Sequence, residues 1–208
     1  DRTFVNTNKI IKNVVGYGII KPKINKKKCI NLFYKKFPHF KNKKFLLFLG
    51  RFDQKKGLEI LINSIKKLTK KDIKINFLLV GKNNAYKDTL KILCKKNRIE
   101  QNIFWSDLMT GDLKWGTILA SSGMVLSSHG ENFGVSLVES LCCSKPVLTT
   151  NKVNIYEEII KYDAGLISKN TVSDFTKILE KFHKFDDLRL KIISKNSLIC
   201  FNKEFNLN

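Results

Sequence analysis

The stretch Gly123-Met124-Val125-Leu126-Ser127-Ser128-His129-Gly130-Glu131-Asn132-Phe133-Gly134-Val135-Ser136-Leu137-Val138-Glu139 decides how this chain is read. Met124 to Leu126 is a short continuous apolar run, which reads as a buried strand. Small polar residues and a glycine-bearing loop follow. Val135, Val138, Leu141 and Cys142 then recur at helical spacing. A strand that feeds a helix through a glycine loop leaves the first-turn amides of that helix unpaired, at the positive end of its dipole, and such an end suits an anion. Glu131 sits in the loop and Glu139 eight residues later on the helix. Carboxylates do not ligate an anion; they accept hydrogen bonds from hydroxyls attached to it. Phosphate plus hydroxyls points to a nucleotide or a nucleotide sugar.

Working outward, the same unit repeats. Strand-like runs fall at 45–50, 75–81, 102–106, 123–128, 146–150 and 164–168, and helical patterns at 57–68, 86–97, 113–121, 134–143, 154–162 and 172–182. A last helix is expected from Asp186 to about Phe201. The strands are continuous apolar runs, as expected when helices cover both faces of a sheet. Strands and helices alternating with short connections predict an α/β, doubly wound, parallel six-stranded Rossmann-like sheet. In such sheets ligands sit beyond the carboxyl ends of the strands. Three loops there carry chemistry. Gly50-Arg51-Phe52-Asp53-Gln54-Lys55-Lys56-Gly57 places a guanidinium and an ammonium around a turn, and both grip phosphate. Ser106-Asp107-Leu108-Met109-Thr110-Gly111 is suited to edge a base, and the Glu131 loop completes the crevice. Residues 1–44 read as irregular: a strand and turn near Val14–Ile20, a basic linker from Lys21 to Lys28, then an aromatic and basic stretch.

Composition bounds the rest. The 208 residues, 43% of them hydrophobic, build one good core or two small domains. No apolar run reaches the roughly 18 residues of a membrane span. The opening Asp1-Arg2-Thr3-Phe4 is not a signal peptide, which makes a cytoplasmic location the expectation. Five cysteines without C-x-x-C spacing read as reduced, buried thiols. The net charge of +21 comes from 35 Lys and 4 Arg. Residues 1–100 carry 27 cations and 6 acids, whereas residues 101–208 carry 12 of each. Nucleic-acid readers favour Arg, so no specific nucleic acid is expected. A Lys-rich solvated surface and an anionic membrane surface remain as readings of the asymmetry.

There is no G-x-x-x-x-G-K-[ST] loop, no G-x-S-x-G elbow and no D-x-D pair, and His39, His129 and His183 are scattered. The stretch from Ser128 to Val147, with Glu131, Phe133-Gly134, Glu139 and Pro146-Val147, resembles the signature of glycosyltransferase family 4, the group 1 retaining transferases of GT-B fold. Gly50-Arg51 and Lys56-Gly57 resemble the diphosphate loop of that family. Asn151–Ile155, Glu157 or Glu158, and Ala164-Gly165-Leu166 follow in its order. The family usually has glycine where Ser106 and Ser144 stand here.

The resemblance implies roles. Glu131 would hold donor-sugar hydroxyls and Glu139 the ribose hydroxyls. Gly50, Ser106 and the backbone around Asn132, Phe133, Gly134 and Val135 would meet the donor. Arg51 and Lys56 would stabilise the diphosphate as it leaves. No cofactor or metal is expected, since two cations and a helix end stand in for one. It also implies that residues 45–208 form the nucleotide-sugar-binding half of a GT-B fold, while 1–44 are a linker and remnant of a missing amino-terminal half. The expected function is transfer of a hexose from a nucleoside-diphosphate sugar to a glycan or lipid-linked acceptor, as in polysaccharide biosynthesis. The alternative is a basic α/β module that binds nucleic acid or an anionic membrane without catalysis.

Overall fold

The computed structural model describes residues 17–207. Six strands run β1 Phe45–Leu49, β2 Asn76–Val80, β3 Ile103–Ser106, β4 Gly123–Leu126, β5 Val147–Thr150 and β6 Gly165–Ser168. They form one parallel sheet in the order β3-β2-β1-β4-β5-β6. Successive crossovers run outward from β1 to one side and, beginning with β4, to the other. The chain therefore reverses its direction of winding between β1 and β4, and a crevice opens there at the carboxyl ends. Every residue of β1, β4 and β5 is buried. β1 is accordingly apolar throughout instead of alternating, and in β5 the buried Thr149 and Thr150 hydroxyls donate to the Leu126 and Ser128 carbonyls at 2.7 Å.

The helices are α1 Lys26–Lys36, α2 Leu58–Lys70, α3 Ala85–Lys96, α4 Gly111–Ala120, α5 Val135–Cys142, α6 Tyr156–Lys161, α7 Val172–His183 and α8 Asp187–Cys200. Several start where a short polar side chain satisfies a first-turn amide. Asn84 Oδ1 accepts from Lys87 N at 2.9 Å, Thr171 Oγ1 from Asp174 N at 3.1 Å and Asp186 Oδ1 from Arg189 N at 2.7 Å. In α2, Leu58, Leu61, Ile62, Ile65 and Leu68 are buried on one stripe, the spacing that marks it in the sequence.

One expectation is corrected. Residues 26–36, read as part of an irregular stretch, form α1. Asn25 caps it, its Oδ1 accepting from Lys28 N at 3.0 Å. Its buried stripe is narrow, Cys29 and Phe33 with Ile30 and Tyr34 half-buried, and lysines hide it. α1 lies directly on α4, where Gly116 admits it: a Cβ at that position would sit 2.0 Å from the Cys29 carbonyl oxygen. Phe33 stacks on Phe45 at 5.4 Å, and Phe37 and Phe40 join them in the core. Fully burying a ring such as Phe33 contributes about 1.5–3 kcal/mol.

Of the expected Val14–Ile20 strand, Val14–Gly16 lie outside the described residues. Ile19 makes a single parallel bridge to Asn206, with Ile19 N donating to the Phe205 carbonyl at 2.9 Å. A five-residue π-turn, Phe201–Phe205, leads α8 to this bridge. All five cysteines are free and buried, and burial raises the thiol pKa of Cys142 to about 11 and of Cys94, Cys143 and Cys200 to about 12. No helix among the described residues is long and apolar enough to cross a membrane.

Candidate functional site

The turn after β1 and the loop after β4 are built against each other. Gly57 begins α2 at φ +60, a conformation glycine adopts without penalty, and a Cβ there would lie 2.1 Å from the Ser127 carbonyl. The Ser127 hydroxyl donates to the Gly57 carbonyl at 2.7 Å, the Ser128 hydroxyl to the Lys55 carbonyl at 2.7 Å, and His129 N to the same Lys55 carbonyl at 2.9 Å. From the other side, Glu131 N donates to the Lys152 carbonyl at 2.9 Å and Asn154 N to the Glu131 carbonyl at 3.0 Å. The acidic loop is thereby fixed between two neighbours. Gly134 then caps α5 at φ +72, and no side chain among the described residues caps the helix start.

These elements surround a cleft of about 720 Å³ at the β1/β4 crevice. Nine of the residues singled out in the sequence line it: Gly50, Arg51, Lys56, Glu131, Asn132, Phe133, Gly134, Val135 and Glu139. Ser106 does not. It ends β3, two strands away from β1, and lines a separate depression with Lys87 and Trp105. Its carbonyl accepts from Gly81 N at 3.2 Å and from Lys87 Nζ at 3.3 Å. The loop reaches the cleft only at Leu108 and Met109.

Two ion pairs cross the cleft. The Lys56 ammonium contacts Glu131 Oε2, and Lys114 Nζ donates to Glu139 Oε1 at 2.6 Å. All four side chains are at most a quarter exposed. Arg51 is exposed and makes no ion pair among the described residues. The three cations and two carboxylates leave one net positive charge in a cleft that the start of α5 also lines. Lys114 and Tyr17 are lining residues that sequence reasoning missed. Lys114 is one of 35 lysines, and only the fold brings it to Glu139. Tyr17 lies in the stretch read as irregular and packs edge-on to Phe133, with ring centroids 4.4 Å apart.

His129 points away from the cleft. The Asn170 amide donates to the Ser127 and Ser128 carbonyls at 3.3 and 2.8 Å, so its Oδ1 is the atom that meets His129 Nδ1 at 2.7 Å. His129 Nε2 meets Glu59 Oε1, while Tyr86 donates to the other Glu59 oxygen at 2.9 Å. Both ring nitrogens face acceptors, which favours the imidazolium. The hydrogen bond to Glu59, then that to Asn170, raises the His129 pKa above its ordinary value. The ring braces the acidic loop from behind.

Residues 30–197 match the family described as glycosyl transferases group 1. The chain belongs to this family. An uncharacterized glycosyltransferase of Methanocaldococcus jannaschii is 34% identical over 163 residues, covering 77% of this chain and 44% of that protein. A glycosyltransferase from Rickettsia africae has the same fold over 92% of this chain and 52% of its own, with a TM-score of 0.80 and 18% identity. HepE of Anabaena, solved in complex with UDP and glucose, matches over 86% of this chain and 48% of its own, with a TM-score of 0.72 and 18% identity. The chain spans less than half the length of that curated relative and about half that of the two solved structures. The six-stranded sheet of this group 1 glycosyltransferase chain is one Rossmann-like half of a GT-B fold.

Proposed function

We propose that this chain is the nucleotide-sugar-binding half of a retaining glycosyltransferase that moves a hexose from a nucleoside-diphosphate sugar to a glycan or lipid-linked acceptor. One observation carries the reading: Arg51, Lys56, Glu131, Glu139 and the open start of α5 line a single cleft at the β1/β4 crevice. The complex of HepE with UDP and glucose, in the same fold, supports it.

Under this reading the diphosphate lies against Arg51, Lys56 and the first turn of α5. The α-phosphate side leads to the ribose, whose hydroxyls donate to Glu139. On the far side the sugar hydroxyls donate to Glu131. As the bond from the anomeric carbon to the diphosphate oxygen breaks, charge grows on the leaving phosphate, and cations already in place stabilise that charge without reorganising. Lys56 and Lys114 hold the two carboxylates until the donor arrives. The cations and the helix end make a metal unnecessary for diphosphate binding, so a chelator should leave nucleotide affinity unchanged.

Calorimetric titration with UDP, GDP and ADP and their hexose conjugates tests this. At least one should bind, and Glu139→Ala should weaken it by about tenfold or more, the worth of a hydrogen bond to a charged group. Silence with every nucleotide would overturn the reading. A second reading, compatible with the first, is docking on an anionic membrane. It is favoured by residues 21–44, where all ten lysines are exposed and no acidic residue occurs.

A further inference from the structure

We propose that Lys87 is a specificity-determining positioning residue: its buried ammonium holds the Asp107–Met109 segment, the side of the cleft where the base of the donor would lie. The inference rests on the donor-site reading above. Lys87 is in the first turn of α3, lies outside the cleft, and is only 3% exposed. An ammonium has three N–H donors and no acceptor. Here three acceptors meet it: Asn83 Oδ1, the Ser106 carbonyl at 3.3 Å and Asp107 Oδ1 at 3.2 Å. The Phe52 ring lies beneath it, 5.3 Å from Nζ to the centroid.

With its donors matched, Lys87 has none left for a phosphate, and positioning is what remains. Two of its acceptors, on Ser106 and Asp107, immediately precede Leu108 and Met109, which line the cleft. Leu108 is 60% exposed, so its place depends on the backbone beside it. Met109 is buried, and its sulfur lies 3.1 Å from the Thr117 hydroxyl, whose one proton the Leu113 carbonyl meets at 2.8 Å. The Arg51 turn meets Lys87 through the Phe52 ring but has hydrogen bonds of its own, from Asn84 Nδ2 to the Phe52 carbonyl at 2.7 Å and from the serines after β4. Truncating Lys87 would take from the buried Ser106 carbonyl one of its two donors, Gly81 N being the other, and from the largely exposed Asp107 its ion pair. The base-edge loop would loosen, whereas the diphosphate contacts would stay.

The test is titration of the full chain with UDP, ADP, GDP, CDP and inorganic pyrophosphate. The unsubstituted chain should prefer one nucleoside diphosphate. Lys87→Met should reduce the ratio between its best and worst affinities by roughly tenfold, with pyrophosphate affinity kept within about twofold. If that variant does not fold, Asp107→Asn, at a largely exposed carboxylate, should show the same flattening in smaller measure. A folded variant that keeps the full ratio overturns the proposal. So does one that weakens pyrophosphate and all nucleotides equally, because that reports general damage. An unsubstituted chain that binds none of these probes overturns the donor-site reading and this inference together, an outcome distinct from selective binding that survives both substitutions.

Discussion

Ser144 stands at φ +59, in the left-handed region that favours glycine, at a position where the family resemblance leads one to expect glycine. The left-handed conformation costs an L-residue about 1–2 kcal/mol. Glycine removes that strain but loses more backbone entropy on folding, about 0.4–1 kcal/mol. Ser144→Gly is therefore expected to stabilise the chain by about 0.5–1 kcal/mol, raising Tm by roughly 2–4 °C per kcal/mol. Thermal unfolding followed by circular dichroism checks it, and a Tm at or below that of the parent contradicts it. The strain is thus visible in the sequence as a departure from a pattern. Glu131, Gly134 and Glu139 were legible for a related reason: the local order of strand, loop and helix already places their side chains or their dihedrals. Lys114 was not, because its partner Glu139 lies 25 residues away and only the packing of α4 beside α5 joins them. Ser106 was misplaced because the sequence shows that a loop follows β3 but not how many residues it needs to reach the crevice.

Among elements, the loop between β4 and α5 depends on a brace that spans four parts of the chain. Glu59 of α2, Tyr86 of α3, Asn170 before α7 and His129 form one hydrogen-bonded group, with Lys55 and Gln54 beside it. The folded-state pKa of His129 is raised, so the unfolded chain is the first to release this proton as pH increases. The stabilising contribution is full below the ordinary histidine value of about 6.5 and is lost as pH climbs through the raised one. Urea midpoints at about pH 6 and 8 should therefore fall more for the parent than for His129→Gln, and parallel falls would remove His129 from the account. NMR titration of the His129 ring, one of three in the chain, reads the shift directly. The strands were legible at this scale because apolar runs of four to six residues, each closed by polar or glycine turns, fit little besides buried strands. α1 was not, since a helix that buries only Cys29 and Phe33 fully gives almost no periodic signal among five lysines.

For the whole molecule, the winding was legible because six apolar runs separated by helical patterns leave little choice besides a parallel sheet. The placement of charge was legible only as a count along the chain, since sequence does not reveal which lysines share a face. On α1, Lys27, Lys28, Asn31, Leu32 and Lys35 line one outer surface, and of its lysines only Lys28 finds a carboxylate, Asp112 at 2.8 Å, among the described residues. Each such cation near an anionic leaflet contributes about 1 kcal/mol. Sedimentation with vesicles holding about a third phosphatidylserine should pull the chain down at low salt and release it as salt shortens the Debye length to about 8 Å. Lys27→Glu with Lys35→Glu should weaken the interaction, and equal sedimentation with neutral vesicles would remove it. The hidden thiols have a practical result of their own. A sulfhydryl that water cannot reach stays deaf to iodoacetamide, so each carbamidomethyl adduct counted by mass spectrometry marks a moment when the interior came open, and the five sites together time how the two sides of the sheet let go.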